Sequence, residues 1–299
     1  MTPTATDLPY DLLAVDLDGT LLDRTSRVSP RNRSALHALH EAGAKIVLCT
    51  GRCFTETLPV VREIGLDLDA AVTAGGAVLT DLRTLRTIER VNLPLPRARE
   101  VAAWIERREF AYLWLYDADE AGFDGYAVDG SRRHAAFDRW LSKTPCAMRP
   151  AVGVPNGSIA PVRLSLCDDA ALLEPVSREL DAAFRGLLRM NVLRAPTYDV
   201  TLLEIFSAPV DKWLGIQKLC RLWKIDEART VAMGDDVNDV EMIRRAGLGV
   251  AMANAHPPAR QAAQRIAPPF DQDGVAEIID DVFLRARNRE RERARAKFE

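Results

Sequence analysis

Two aspartates one residue apart, Asp16 and Asp18, directly follow the apolar run Leu12, Leu13, Ala14, Val15 and precede Gly19 and Thr20. Such a run reads as a buried strand. Buried strands seldom end on two carboxylates unless something positive sits between them. Three more groups of chemically able residues stand far off in sequence: Thr50, Gly51 and Arg52 after the apolar run 45–50; Lys212 at the head of a helical segment; and Asp235, Asp236, Asn238 and Asp239 after the run 230–234. Brought together, Asp16, Asp18 and Asp235 would crowd three acids into a small volume. A hard divalent cation relieves that repulsion, and all-oxygen ligation favours magnesium (Mg2+) over zinc. A magnesium with few protein ligands keeps waters and can take a substrate phosphate. Thr50, the amides around Gly51, and Lys212 would supply donors and positive charge for phosphate oxygens. The composite is a phosphoryl-transfer site with one carboxylate spare as nucleophile. Each piece alone is weak: a DxD is common on exposed loops, a lone lysine is usually a surface group, and GDDVND suits a turn that caps a helix. Their joint order and placement carries the reading.

The elements that must position these residues are legible from period and punctuation. SPRNRSALHALHEAG reads as a helix, with Ser29 at the N-cap, Pro30 at the first helical position and Gly43 as its stop. Residues 45–50 form a second short apolar strand, FTETLPVVREIG a helix ending at Gly65, and AAVTAGGAVL a third strand and a turn. Strands alternating with helices imply βαβ units, hence a Rossmann-like, doubly wound parallel sheet of the α/β class. From about residue 84 the pattern changes. TLRTIERVNL, AYLWLY, IAPVRLSL, LLRMNVL and YDVTLLEIF read as strands, with two helices among them and an acidic, Gly-rich loop or hairpin at DADEAGFDGYAVDGSRR. This is an α+β layer. After about residue 208 the alternation returns, with a helix over KWLGIQKLCRLW, strands at 230–235 and 249–254, and a helix over PPARQAAQRI. The chain therefore reads as a discontinuous core, 1–83 and 209–299, with an inserted cap domain at 84–208. In open α/β sheets ligands bind at the carboxyl ends of the strands, where three of the four groups fall, and Lys212 would join them from the start of its helix.

Composition narrows the classes further. With 47% hydrophobic residues the 299-residue chain can bury a substantial core. A net charge of −3 leaves no electrostatic footprint for nucleic acid. No apolar stretch approaches the length of a membrane span, and no signal peptide is evident at the N-terminus, so a cytoplasmic location is expected. Five cysteines, at 49, 53, 146, 167 and 220, are scattered and odd in number, which fits a reducing compartment rather than a disulfide framework. Cys49 and Cys53 flank a turn without a second pair or a histidine to complete a zinc site, so they read as small buried packing residues. His37 and His40 read as solvent-facing, and the tail RARNRERERARAKFE as a fraying, solvated helix.

With these motifs in view, the chain resembles the haloacid dehalogenase (HAD)-like hydrolase superfamily, and within it the Cof-type phosphatases with a large α/β cap. DLDGTLL resembles the first family motif, TGR the second, Lys212 the third and GDDVND the fourth. The run GDDVNDVEMIRRAGLGVAMANAHPPARQAA and the segment DQDGVAEII continue the likeness, which covers residues 10–84 and 208–280; the cap matches in position and element order only. The resemblance implies that Asp16 is the nucleophile taking the phosphoryl group. Asp18 would protonate the leaving oxygen and then deprotonate the hydrolytic water. Asp16, the backbone carbonyl of Asp18, and Asp235 would hold Mg2+. Thr50, Gly51, Arg52, Lys212 and Asn238 would meet the phosphate, and Asp239 would be an outer partner of the metal or of Lys212. Two departures stand out. Trp213 follows the lysine where the family usually has glycine, and would either narrow the pocket or pack on the cap. Ala74, Gly75 and Gly76 replace the usual Asn-Gly. The function implied is hydrolysis of small phosphorylated metabolites, sugar phosphates foremost, by a monomer or homodimer. The alternatives are a phosphomutase, for which Arg132, Arg133 and Arg149 would have to bind a second phosphate, and a non-catalytic phosphometabolite-binding protein.

Overall fold

The computed structural model describes residues 8–195 and 198–285; the expectation for the charged tail lies outside them. The first third of the chain runs β1 (Leu12–Val15), α1 (Pro30–Glu41), β2 (Lys45–Cys49), α2 (Phe54–Ile64), β3 (Ala70–Thr73), β4 (Val78–Asp81) and β5 (Arg86–Arg90). The middle third runs α3 (Leu95–Glu106), β6 (Tyr112–Leu115), α4 (Ala118–Ala121), β7 (Gly125–Val128), α5 (Ala135–Lys143), β8 (Met148–Ala151), β9 (Arg163–Asp168), α6 (Ala170–Ala183), β10 (Leu188–Ala195) and β11 (Val200–Ser207). The last third runs α7 (Lys212–Trp223), β12 (Thr230–Gly234), α8 (Val240–Arg245), β13 (Leu248–Met252), α9 (Pro257–Ala262), β14 (Arg265–Ala267) and α10 (Gly274–Ile278).

Eight strands form one sheet in the order β14-β13-β12-β1-β2-β3-β4-β5, parallel from β14 to β3. The parallel strands are short and apolar because both faces are covered. Every residue of β1 is buried, with Leu13 and Val15 packed on the α1 side and Leu12 and Ala14 on the α7 side. Helix ends follow local chemistry. The Ser29 hydroxyl accepts from the Asn32 amide at 3.0 Å, and α2 stops at Gly65 in the left-handed region.

The insert expected to start at residue 84 begins later. β5 pairs antiparallel with β4 and is the edge strand of the core sheet. A hairpin, rather than a crossover, carries the chain there, so a strand that follows closely on its predecessor stayed in the same sheet. A second correction falls at the other edge: α9 ends at Ala262, and Arg265 and Ile266, read as helical, begin β14 beside β13.

The six remaining strands make a second sheet, β10-β11-β9-β6-β7-β8, antiparallel except for β7–β8. Its apolar face buries Trp114, Leu164, Leu203 and Ile205 against α3 and α6. His37, expected to face solvent, is half-buried, with Nε2 2.8 Å from the Ile64 carbonyl oxygen.

Candidate active site

β12, β1 and β2 lie side by side, so the residues after their carboxyl ends converge without long loops. Asp16 is the first residue beyond β1, and its amide still donates to the Met233 carbonyl at 3.0 Å. Strand rigidity thus reaches the carboxylate itself. Lys212 opens α7, where Asp211 caps the helix by accepting from the Leu214 amide at 2.8 Å. Its ammonium donates to Asp16 Oδ1 and to Asp239 Oδ1, both at 2.6 Å. Lys212 is 1% exposed, Asp239 0% and Asp16 4%. A buried lysine normally loses its proton readily. Here burial acts to lower its pKa, but the two carboxylates outweigh it and hold the proton more firmly than usual.

Asp239 is fixed on its other side as well: Oδ2 accepts the amides of Asp235 and Asp236, both at 3.0 Å. That leaves Asp235 turned towards Asp16 with only weak partners, Thr20 Oγ1 at 3.3 Å and Asn254 Nδ2 at 3.5 Å. Carboxylate oxygens of Asp16, Asp235 and Asp239 lie within 4.8 Å of one another. Burial, then the neighbouring carboxylates, pushes Asp235 up to about 9 and, against the pull of Lys212, pushes Asp16 up to about 8. The pocket holds more negative charge than one lysine balances. With both oxygens of Asp239 committed, Asp16 and Asp235 remain to hold a cation, and an all-carboxylate donor set fits a hard divalent ion.

The three acids brought together are therefore Asp16, Asp235 and Asp239, not the expected Asp16, Asp18 and Asp235. The Asp18 carboxylate points outward into a two-point ion pair with Arg52, Nε to Oδ2 at 2.7 Å and Nη2 to Oδ1 at 2.5 Å. A planar guanidinium fits a carboxylate in this way, and it draws Asp18 out of the cluster. Gly19, at φ 79°, turns the chain directly after Asp18 and lies against Asp235; a Cβ there would stand 2.2 Å from Asp235 Oδ2. Thr50 is buried, its amide extending the β2–β3 ladder to the Val72 carbonyl and its hydroxyl accepting from the Arg52 amide at 3.1 Å. Asn238 faces the same loop, with Nδ2 3.6 Å from where a Gly51 Cβ would sit.

The second sheet meets the site at this loop. Arg163 of β9 donates from Nη1 to the Gly51 carbonyl at 2.6 Å and pairs with Glu204 of β11. Glu204 Oε2 in turn lies 3.5 Å from Asn191 Nδ2. None of these three residues was singled out from sequence, although a signal was present. Arg163 and Glu204 each interrupt an apolar strand, between Val162 and Leu164 and between Leu203 and Ile205, and charges in such positions are seldom buried unless paired. Asn254, also overlooked, donates to the Gly19 carbonyl at 2.9 Å and steadies the turn.

The two departures from the family pattern are explained by packing. Trp213 neither narrows the pocket nor touches the cap. It is fully buried beneath the core sheet among Val72, Leu79, Ile216 and Met242. Gly76, at φ 108°, lies against the Asp211 backbone, where a Cβ would stand 2.0 Å from the carbonyl oxygen. The Ala-Gly-Gly turn thus allows the chain leading into Lys212 to pack close.

A family model described as haloacid dehalogenase-like hydrolase matches residues 13–279. Among curated proteins, YxeH of Bacillus subtilis (strain 168) is 28% identical over 284 residues, spanning 92% of this chain and 99% of its own. The phosphatase YwpJ of the same strain is 25% identical over 286 residues, spanning 90% and 98%. A solved HAD subclass IIB sugar phosphatase, 20% identical, shares the fold with a TM-score of 0.75 over 90% of this chain and 98% of that one. With the match running from the first core strand to the last helix, the chain belongs to the haloacid dehalogenase-like hydrolase family, as one of its phosphate-ester hydrolases.

Proposed function

We propose that the protein is a Mg2+-dependent phosphatase of small phosphorylated metabolites, sugar phosphates foremost, working through an aspartyl phosphate on Asp16. The observation that carries this reading is the buried bridge from Lys212 to Asp16 and Asp239. It pins one oxygen of Asp16 and leaves the other free to attack phosphorus. Asp16, the Asp18 carbonyl and Asp235 would hold Mg2+, which offsets charge on the cluster and on the phosphoryl oxygens when bound.

Attack by Asp16 forms the O–P bond as the bond from phosphorus to the leaving oxygen breaks, and Asp18 delivers a proton to that oxygen. Asp18 then takes a proton from water, whose oxygen attacks phosphorus. The bond to Asp16 breaks and phosphate leaves. Thr50, the amides around Gly51, Asn238 and Lys212 hold the phosphoryl oxygens. Arg52 clasps the Asp18 carboxylate until a phosphate dianion competes for the guanidinium; released, Asp18 takes up from solvent the proton that it then delivers. The middle third of the chain acts as a cap from about residue 91 to 207. Its Arg163, Asn191 and Glu204 stand over the phosphate loop and favour leaving groups rich in hydroxyls. The mutase alternative is less well supported, since Arg132 and Arg149 stack on Phe110 and Phe123 and Arg133 pairs with Asp129 and Asp138.

The test is phosphate release from a panel of phosphorylated metabolites by metal-stripped protein with and without Mg2+, alongside Asp16→Asn. Wild type should require the ion, favour sugar phosphates over aryl phosphates, and lose all turnover in the variant. Release by a clean Asp16→Asn preparation removes Asp16 as nucleophile; full release in excess chelator removes the metal.

A further inference from the structure

Cys53 and Cys146 are 93 residues apart in sequence, yet their sulfurs lie 3.0 Å apart. Cys53 sits at the N-cap of α2 on the core, and Cys146 on the segment between α5 and β8 of the cap. Both are free thiols, 8% and 9% exposed. The contact is held from both sides of the seam. Core Thr55 donates to cap Asp124 at 2.6 Å, and the Ala147 amide donates to the other oxygen of Asp124 at 2.8 Å. Cap Trp140 donates its indole N–H to core Glu56 at 3.0 Å.

Two chemistries suit a pair of sulfurs beside a carboxylate: a soft metal ion or a disulfide. Two thiolates on one tetrahedral zinc, at about 2.3 Å each, stand about 3.8 Å apart. The observed contact is well inside that and within about 1 Å of a covalent S–S bond. The carboxylate grouped with the two sulfurs, Glu56, is already engaged by Trp140 and by the Cys53 amide. Geometry favours the bond over the ion.

We propose that Cys53 and Cys146 form a dithiol site that a small hydroperoxide oxidises to a core–cap disulfide, holding the cap shut over the Asp16 site until a thiol reductant reopens it. The consequence for turnover rests on the phosphatase reading above; the cross-link itself does not. The hydrogen bond with Cys146, burial, and the carboxylates of Glu56 and Asp124 push the Cys53 thiol up; with the sulfurs 3.0 Å apart, oxidation of either one, taken here as Cys146, leaves the other in place to resolve it. The Cys146 sulfur gives up a proton and attacks one peroxide oxygen; the O–O bond breaks, yielding a sulfenic acid and water. The Cys53 sulfur then attacks the sulfenic sulfur, the S–O bond breaks, and the Cys53 proton leaves with the departing hydroxide as a second water. Two thiols lose two electrons and one peroxide gains them. A disulfide of this kind, formed in a reducing compartment, is transient and acts as a sensor.

The experiment treats reduced full-length protein with hydrogen peroxide, blocks remaining thiols and maps peptides by mass spectrometry. A Cys53–Cys146 peptide pair lacking two hydrogens is expected, with aryl-phosphate turnover falling about tenfold and returning with dithiothreitol. Cys146→Ser and Cys53→Ser should keep the reduced rate and be unaffected by peroxide. Amide exchange in the Gly51 loop, slowed by oxidation in wild type alone, reads cap closure without reference to activity. Absence of the cross-link overturns the proposal, as does a cross-link that leaves both turnover and exchange unchanged, or inactivation that persists in Cys146→Ser. If reduced wild type never releases phosphate, the catalytic reading fails while the mass spectrum and the exchange rates still decide this one.

Discussion

Asp239→Asn is the most informative single change in this pocket, because Asp239 touches no solvent and anchors two elements at once. Its carboxylate accepts from Lys212 on one oxygen and from the Asp235 and Asp236 amides on the other. An asparagine has one carbonyl oxygen. It can serve the amides or the lysine, and its NH2 group must then oppose the donor left over. The loss is one charge-assisted hydrogen bond, about 1.5–3 kcal/mol, plus the cost of a buried ammonium left with a single carboxylate. Breaking buried ion pairs by removing one partner costs about 3–5 kcal/mol, which is the expected total. For a chain of this size that lowers Tm by roughly 10 °C. Turnover should fall about 10–100-fold, as for other groups that orient a metal site through its neighbours. The assay is urea and thermal unfolding beside phosphate release, with Asp138→Asn as control. Asp138 is an exposed partner of Arg133 and should change stability by no more than about 0.5 kcal/mol. A loss below about 1 kcal/mol for Asp239→Asn would refute the claim that the bridge is a fixed, desolvated unit.

Trp213→Ala should cost about 3–5 kcal/mol, as large-to-small changes in cores do, and leave the ranking of substrates unchanged; an altered ranking at unchanged stability would return the ring to the pocket. Gly76→Ala should destabilise and inactivate together, because its Cβ meets the Asp211 carbonyl at 2.0 Å, whereas Gly65→Ala, with φ 70° but open space, should cost only about 1–2 kcal/mol. Cation binding should release protons. Asp16 and Asp235 are raised to about 8 and about 9 in the folded, metal-free pocket, so between their ordinary range and those values the folded chain holds protons the unfolded chain does not. Metal-free stability therefore falls as pH rises from 6 to 9, while Mg2+ affinity rises by up to about tenfold per pH unit for each of the two protons expelled. Calorimetry in buffers of different ionisation enthalpy measures this, and an affinity flat from pH 6 to 8 without proton release would contradict it.

The sequence by itself determined the parts that depend on local order. Apolar runs too short for anything but buried strands, a Ser-Pro helix start at 29–30, and acids placed directly after those runs fix the parallel core and put Asp16, Thr50 and Asp235 at one end of it. Those features survive because strand period, caps and the carboxyl-end rule are properties of neighbouring residues. What only tertiary structure decided are choices between distant partners. TLRTIERVNL is a strand on any reading, but nothing local says that it extends the core sheet instead of starting the cap. An acid near a site has two places to go, and Arg52 drew Asp18 out while Lys212 and two amides drew Asp239 in. Trp213 stands next to Lys212 in sequence, yet successive helical residues point about 100° apart, so one faces the site and the other the core beneath. Cys53 and Cys146 have no signal at all in a spacing of 93, because the loop between them is closed by an entire domain. Their meeting depends on how two sheets dock, and docking is set by surfaces that no stretch of sequence contains alone.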